Sequence, residues 1–126
     1  MFPRQEFCRL LQEIKEGNIL IIVEGKKDKR ALEELGLTNI ITLYHKPLYK
    51  IMEELPAKEV IILTDFDKEG KKLYGKLRQE CLRLGIKVNN KLRNFLIKEA
   101  RISHIEGLTT FIYSKENTNK KHHFQA

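Results

Sequence analysis

An open α/β fold built on a mainly parallel sheet is what this sequence predicts, and three observations point to it. Apolar runs rich in β-branched residues recur at Ile19–Val23, Ile40–Leu43 and Val60–Leu63, and such runs read as strands covered on both faces. Each run is followed by apolar residues at helical spacing, and strands alternating with helices mean parallel βαβ units. The first and third runs end in carboxylates: Glu24 in one, Asp65, Asp67 and Glu69 in the other. Carboxylates from both runs meet one ligand only if strands one and three are neighbours. Strand two then lies outside strand one, giving an inner order of 2-1-3 with right-handed crossovers and helices on both faces. The crevice between strands one and three becomes the point where the winding reverses, and open sheets bind ligands there.

The elements follow in order. Phe7, Leu10, Leu11 and Ile14 lie on one helical face, and Gly17 ends that helix. Strand one, Ile19–Val23, leads into a helix from about Lys26 to Leu35, with Ala31, Leu32 and Leu35 inward and Gly36 as its stop. Strand two is Ile40–Leu43. Pro47 opens the next helix in the position proline tolerates, and Pro56 closes it. Strand three, Val60–Leu63, precedes a long helix from about Lys68 to Leu84, with Leu73, Leu77, Cys81 and Leu84 inward and Gly85 at its end. Ile86–Val88 is expected as a short fourth strand. Further on, Leu92, Phe95, Leu96 and Ala100 predict a helix, while Ile102–Ile105 and Thr109–Tyr113 are expected as edge strands. The organisation predicted is one domain over residues 1–113, with its core at about 18–88. A polar, flexible tail at 114–126 would include His122 and His123.

A chain of 126 residues is enough for one core. Lys and Arg number 24 against 17 Asp and Glu, a formal net charge of +7. That excess favours polyanionic partners, nucleic acid above all, with a generally basic soluble surface as the alternative. Cys8 and Cys81 are far apart and form no C-x-x-C pair, so reduced core thiols are expected rather than a zinc site or a disulfide. The amino-terminal residues lack the apolar stretch of a signal peptide, and no apolar run approaches the ~20 residues of a membrane span. A cytoplasmic location without membrane contact is expected. Aromatics make up 8% with no Trp, which favours backbone recognition over base stacking.

The acidic residues suggest phosphate chemistry. Asp65 and Asp67 stand two apart, so both reach one ion at a strand's end while Phe66 turns into apolar packing. A magnesium ion takes one or two protein carboxylates and fills its shell with water and substrate phosphate. Asp67 leads as ligand, with Asp65 and Glu69 beside it. Glu24 either completes the metal site or moves a proton at a reacting oxygen. The expected cofactor is Mg2+, one ion or two, with Mn2+ as its substitute. Gly25 and Gly70 follow the acids and permit a tight turn and close approach of backbone to phosphate. Lys26, Lys27, Lys29 and Arg30 crowd one helix start, and Lys68, Lys71 and Lys72 crowd another. Cations there oppose the helix dipole by ~0.3–1 kcal/mol each, so a sequence tuned for stability alone would place acids. A polyphosphate backbone lying across the crevice accounts for them; neutralising the acidic cluster is the other reading.

Val23-Glu24-Gly25-Lys26-Lys27-Asp28 and Asp65-Phe66-Asp67-Lys68-Glu69-Gly70 resemble the two motifs of the toprim domain. That module is shared by type IA and II topoisomerases, bacterial-type primases, overcoming-lysogenization-type nucleases, recombination mediators and the ribonuclease that matures small ribosomal RNA. The resemblance spans about residues 18–88. It implies a Rossmann-like fold, Glu24 as general acid/base or metal ligand, and Asp65 and Asp67 as magnesium ligands. A topoisomerase's strand-passage gate is missing, which leaves Tyr44, Tyr49, Tyr74 and Tyr113 with no case as nucleophile. A primase's zinc module and a Walker A motif are missing too. What remains is similar to the small stand-alone toprim proteins of archaea and some bacteria. Those also carry a basic helix and a terminal Ile/Val-Glu-Gly-Leu, here Ile105-Glu106-Gly107-Leu108. This segment either brings Arg93, Arg101 or Glu106 near the crevice or is a turn closing the last element. The leading expectation is magnesium-dependent phosphotransfer on nucleic acid, of nuclease type, in RNA or DNA processing. The alternative is a non-catalytic metal- and nucleic-acid-binding module of a larger assembly, with a protein partner or a second copy of the chain.

Overall fold

A computed structural model of the protein describes residues 1–44 and 46–115. Its strands, β1 (Leu20–Val23), β2 (Ile40–Thr42), β3 (Glu59–Ile62) and β4 (Lys87–Val88), form one sheet in the order β2-β1-β3-β4. All three pairings are parallel, with Ile21 opposite both Ile40 and Ile61. The helices are α1 (Arg4–Gly17), α2 (Lys26–Glu33), α3 (Leu48–Glu53), α4 (Lys68–Leu84), α5 (Lys91–Glu99) and α6 (Leu108–Lys115). The predicted inner order 2-1-3 is the one observed, and β4 extends it beyond β3.

Each central strand feeds two cores, because successive side chains point to opposite faces. Ile21 and Val23 of β1 and Ile61 of β3 pack with α1, α2, α5 and α6 on one face. Leu20 and Ile22 of β1 and Val60 and Ile62 of β3 pack with Met52 of α3 and with Leu77 and Cys81 of α4 on the other. This division follows from handedness. The chain moves outward from β1 to β2, then back past β1 to β3, so right-handed crossovers put α2 on one face and α3 and α4 on the other. Every residue of β1 is buried, and each such side chain contributes about 1.5–3 kcal/mol relative to exposure. The strand ends that emit the acids are therefore firmly held.

The helices end as their residues dictate. Asn18 caps α1 in the left-handed region at φ 47°, a conformation asparagine tolerates. Gly85 caps α4 at φ 73°, where a side chain would be strained. Cys8 and Cys81 are both free and belong to opposite faces of the sheet, which explains why no bridge joins them.

Two expectations are corrected. Ile102–Ile105 and Thr109–Tyr113 are not edge strands. Residues 100–104 run irregularly, Ile105–Gly107 forms a 3₁₀ turn, and Leu108 opens α6. The β-forming residues Thr109, Thr110, Phe111, Ile112 and Tyr113 favour a strand. Burial of Ile105, Leu108 and Ile112, at helical spacing and no more than 1% exposed, overrides that preference. Leu84, expected inward, is 39% exposed, because the inward row of α4 ends at Cys81 and the chain turns away at Gly85. α6 also carries Ser114 and Lys115 of the expected tail; its remainder, 116–126 with His122 and His123, lies outside the described residues. Among the described residues no helix is long and apolar enough to cross a membrane.

Candidate metal centre

The chain leaves β1 at Val23, and the next residue, Glu24, is half-buried at the strand's carboxyl end. Gly25 then starts α2, its N–H donating to Asp28 Oδ2 at 3.0 Å. On the neighbouring strand the chain stays buried through Leu63 and Thr64 before Asp65 emerges. The Asp65 N–H donates to Glu24 Oε2 at 2.8 Å. This bond ties the two strand ends together across the switch point. Asp67 caps α4, its Oδ1 accepting from Gly70 N–H at 2.7 Å, as capping aspartates do. The buried Thr64 hydroxyl donates to the Gly70 carbonyl at 2.7 Å and closes the turn. Gly70 is required here by space rather than by φ: a Cβ would run into the backbone carbonyl of Asp65.

Beneath the turn lies Arg93 of α5, 3% exposed. Its guanidinium donates to the carbonyls of Thr64 at 2.8 Å, Ile62 at 3.3 Å and Asp65 at 3.4 Å. It also lies over the rings of Tyr74 at 4.3 Å and Phe66 at 5.1 Å. Phe66 does turn toward apolar packing, and it supplies one wall of this cation's cage. No carboxylate pairs directly with Arg93 among the described residues. A buried cation held by carbonyl dipoles and π faces is costly to desolvate, and burial lowers its pKa.

The carboxyl-terminal segment closes over the acids. The Ile105 N–H donates to Asp65 Oδ1 at 2.8 Å, and the Phe66 N–H donates to the Ser103 carbonyl at 2.8 Å. Between those two residues, His104 places Nε2 3.3 Å from Asp67 Oδ2. Asp65, Asp67 and His104 each offer a ligand atom within 4.8 Å of the others. Ligands on one small cation lie about 3–4 Å apart, given bonds near 2.1 Å, so the trio approximates a coordination shell. Among the described residues, Asp65 Oδ2 and Asp67 Oδ2 take part in no backbone bond. The donor set thus fits a divalent cation.

Among the sequence candidates, Glu24, Asp65 and Asp67 come together; Glu24 adjoins the trio through the Asp65 N–H. Glu69 is exposed in the first turn of α4. Lys26, Lys27 and Arg30 are exposed on α2 and Lys29 is half-buried, while Lys68, Lys71 and Lys72 are exposed on α4. Among the described residues none of these basic side chains pairs with a carboxylate within 4.0 Å. Lys26 instead sits 5.5 Å from the ring centroid of Tyr44. Of the residues linked to the Ile-Glu-Gly-Leu segment, Arg93 comes beneath Asp65, Glu106 lines a shallow hollow with Lys27, Arg30 and Glu34, and Arg101 is exposed.

Asp28 is only 7% exposed. Burial raises its pKa from 3.8 to about 6, offset by the Gly25 N–H and reinforced by Asp65, Glu24 and Glu106. Sequence reasoning missed His104, because a lone histidine in a loop carries no spacing signal; the adjacent Ile-Glu-Gly-Leu was the sole pointer.

Parallel strands, a switch point lined with acids, and glycine turns into two helices define a toprim-type domain. The chain belongs to the toprim domain family, whose pattern matches residues 18–90. More particularly, it is similar to a UPF0292 protein of Methanocaldococcus jannaschii, 40% identical over 117 residues that span 84% of this chain and 91% of that one. A UPF0292 protein of Methanosarcina barkeri is 34% identical over 115 residues, 86% of this chain and 79% of the other. Among solved structures, a putative protein from Aquifex aeolicus matches with a TM-score of 0.71 at 33% identity, covering 81% of this chain and 94% of that one. Toprim domains generally bind divalent metal, and the family points to a metal-binding function in nucleic-acid processing.

Proposed function

We propose that this protein is a divalent-metal-dependent phosphotransferase acting on nucleic acid, of nuclease type. The observation that carries the reading is the bond from Asp65 N–H to Glu24 Oε2, which joins an acid from each of two adjacent strand ends. Asp65 and Asp67 would hold the cation, with Glu69 close enough in sequence to reach its water shell. When bound, the cation polarises the scissile phosphate and stabilises the leaving oxygen. Glu24 sits beside that position and takes or returns a proton at the attacking or departing oxygen. Its Oε1 is the oxygen outside the Asp65 bond, so it is the atom assigned that proton. The Gly25 and Gly70 N–H groups are taken up by Asp28 and Asp67, so phosphate would meet the other backbone N–H groups in the first turns of α2 and α4. Lys26, Lys27, Lys29, Arg30, Lys68, Lys71 and Lys72 hold the polyanionic backbone on either side.

The test is cleavage of end-labelled structured RNA and duplex DNA, with and without Mg2+ or Mn2+, by wild type and Glu24→Gln. Metal-dependent scission that falls about a hundredfold or more in the variant is the expected result, and the preferred substrate would name the class. Binding that survives in both proteins with no scission across the panel would sink the catalytic assignment and favour a non-catalytic module.

A further inference from the structure

The backbone around His104 is fixed on both sides by the residues it overlooks. Ser103 accepts from the Phe66 N–H, and Ile105 donates to Asp65 Oδ1, each at 2.8 Å. Ile105 and Leu108 behind it are 0% exposed, so the turn is seated in the core. The outcome of this bracketing is an imidazole Nε2 3.3 Å from Asp67 Oδ2, the carboxylate oxygen left over from capping α4. A merely electrostatic pair at this exposure, 56% for His104 and 40% for Asp67, is worth about 0–1 kcal/mol. It would account for neither anchor.

We propose that His104 is a third protein ligand of the cation held by Asp65 and Asp67, and that it biases the centre toward a first-row transition cation such as Mn2+ over Mg2+. The inference rests on the metal-centre reading above and adds the identity of the ion. Magnesium favours oxygen donors, keeps its waters and gains little from imidazole. First-row transition cations accept carboxylate and imidazole together, with affinity rising along the series from Mn2+. A set of two carboxylates and one imidazole therefore discriminates, and the imidazole is the part that does so. The selectivity is supplied by the carboxyl-terminal segment rather than by either strand end, so this domain's metal preference is set outside its two acidic motifs.

The test uses the full chain stripped of metal, with Mn2+ and Mg2+ as probes. Mn2+ binding is followed by loss of the free-ion electron paramagnetic resonance signal, and Mg2+ by competition against it. Wild type, His104→Ala, His104→Gln and Asp67→Asn are compared, with thermal melts to verify folding. Wild type should bind Mn2+ more tightly than Mg2+. Either His104 variant should lose about tenfold or more in Mn2+ affinity with little change for Mg2+. Pulsed resonance should detect a nitrogen coupled to bound Mn2+ in wild type and not in His104→Ala. The chain has 4 histidines, so the variant decides which nitrogen is seen. Unchanged Mn2+ preference and a retained nitrogen signal in the His104 variants, with binding abolished by Asp67→Asn, would overturn the ligand assignment and leave the metal centre standing. Indifference of Mn2+ binding to Asp67→Asn would instead remove the metal centre, and the inference with it.

Discussion

The strand-end turns that emit the acids and the later segment that covers them reach the same site by different means. Glu24 and Asp65 follow directly from β1 and β3, whose central residues Ile21, Ile22 and Ile62 are fully buried. Their positions are set by the sheet, and Gly70 and Thr64 shape the turn within a few residues of the ligands. Ile105, by contrast, touches Asp65 across 40 residues of chain. Its place depends on α6, on the burial of Leu108 and Ile112, and on the aromatic cluster in which Phe2 meets Phe7, Phe95 and Phe111 edge-on. The first region can be altered at the chemistry while the scaffold stands. The second can be altered far from the chemistry and still disturb it.

The largest effect expected comes from loosening that second region. Ile105→Ala removes a fully buried side chain and should cost about 2–5 kcal/mol in a urea unfolding curve. Below the new midpoint the sheet should persist by circular dichroism while metal affinity falls. Affinity that stays at the wild-type value in the folded variant would mean the two regions are independent.

Arg93→Met tests the joint between them, since α5 delivers a cation beneath the end of β3. Losing the donors to Thr64, Ile62 and Asp65 strands their carbonyls, for about 1–3 kcal/mol. Arg93→Lys should recover part of the loss, because an ammonium reaches fewer of those acceptors than the guanidinium fork. Equal melting points for wild type and Arg93→Met would show that the cage holds nothing in place.

The smallest effect is a slope. Burial raises the pKa of Asp28 from 3.8 to about 6. As pH rises through that window the unfolded chain gives up this proton first, so Asp28 contributes stability that declines from about pH 4 to about pH 6 and is level above. Asp28→Asn keeps an acceptor for the Gly25 N–H and should flatten that decline in melts recorded without metal. A decline as steep as wild type would assign it to other carboxylates.

Much of the first region was legible in the sequence for a physical reason. Uninterrupted β-branched runs have few alternatives to a doubly covered strand, and acids at the ends of two such strands share a site only when strands one and three are neighbours, as they are in the order 2-1-3. Gly70, Gly85 and Pro47 mark turns that local sterics alone dictate. Arg93 was legible as a candidate near the crevice, but not as a cation packed under β3 between Tyr74 and Phe66.

By itself, then, the sequence determined the alternating architecture, the sheet order and the pairing of Glu24 with the Asp65-Phe66-Asp67 turn, because these depend on periodicity and on the strand adjacency that acids at two strand ends require, although the Glu24–Asp65 bond itself spans 41 residues. Tertiary structure alone decided that Thr109–Tyr113 lies in a helix, that Asp28 is buried, and that His104 meets Asp67. Strand propensity at Thr109–Tyr113 is worth less than seating Leu108 and Ile112 in the core, and no local pattern records a contact whose partners are joined by the packing of the whole domain.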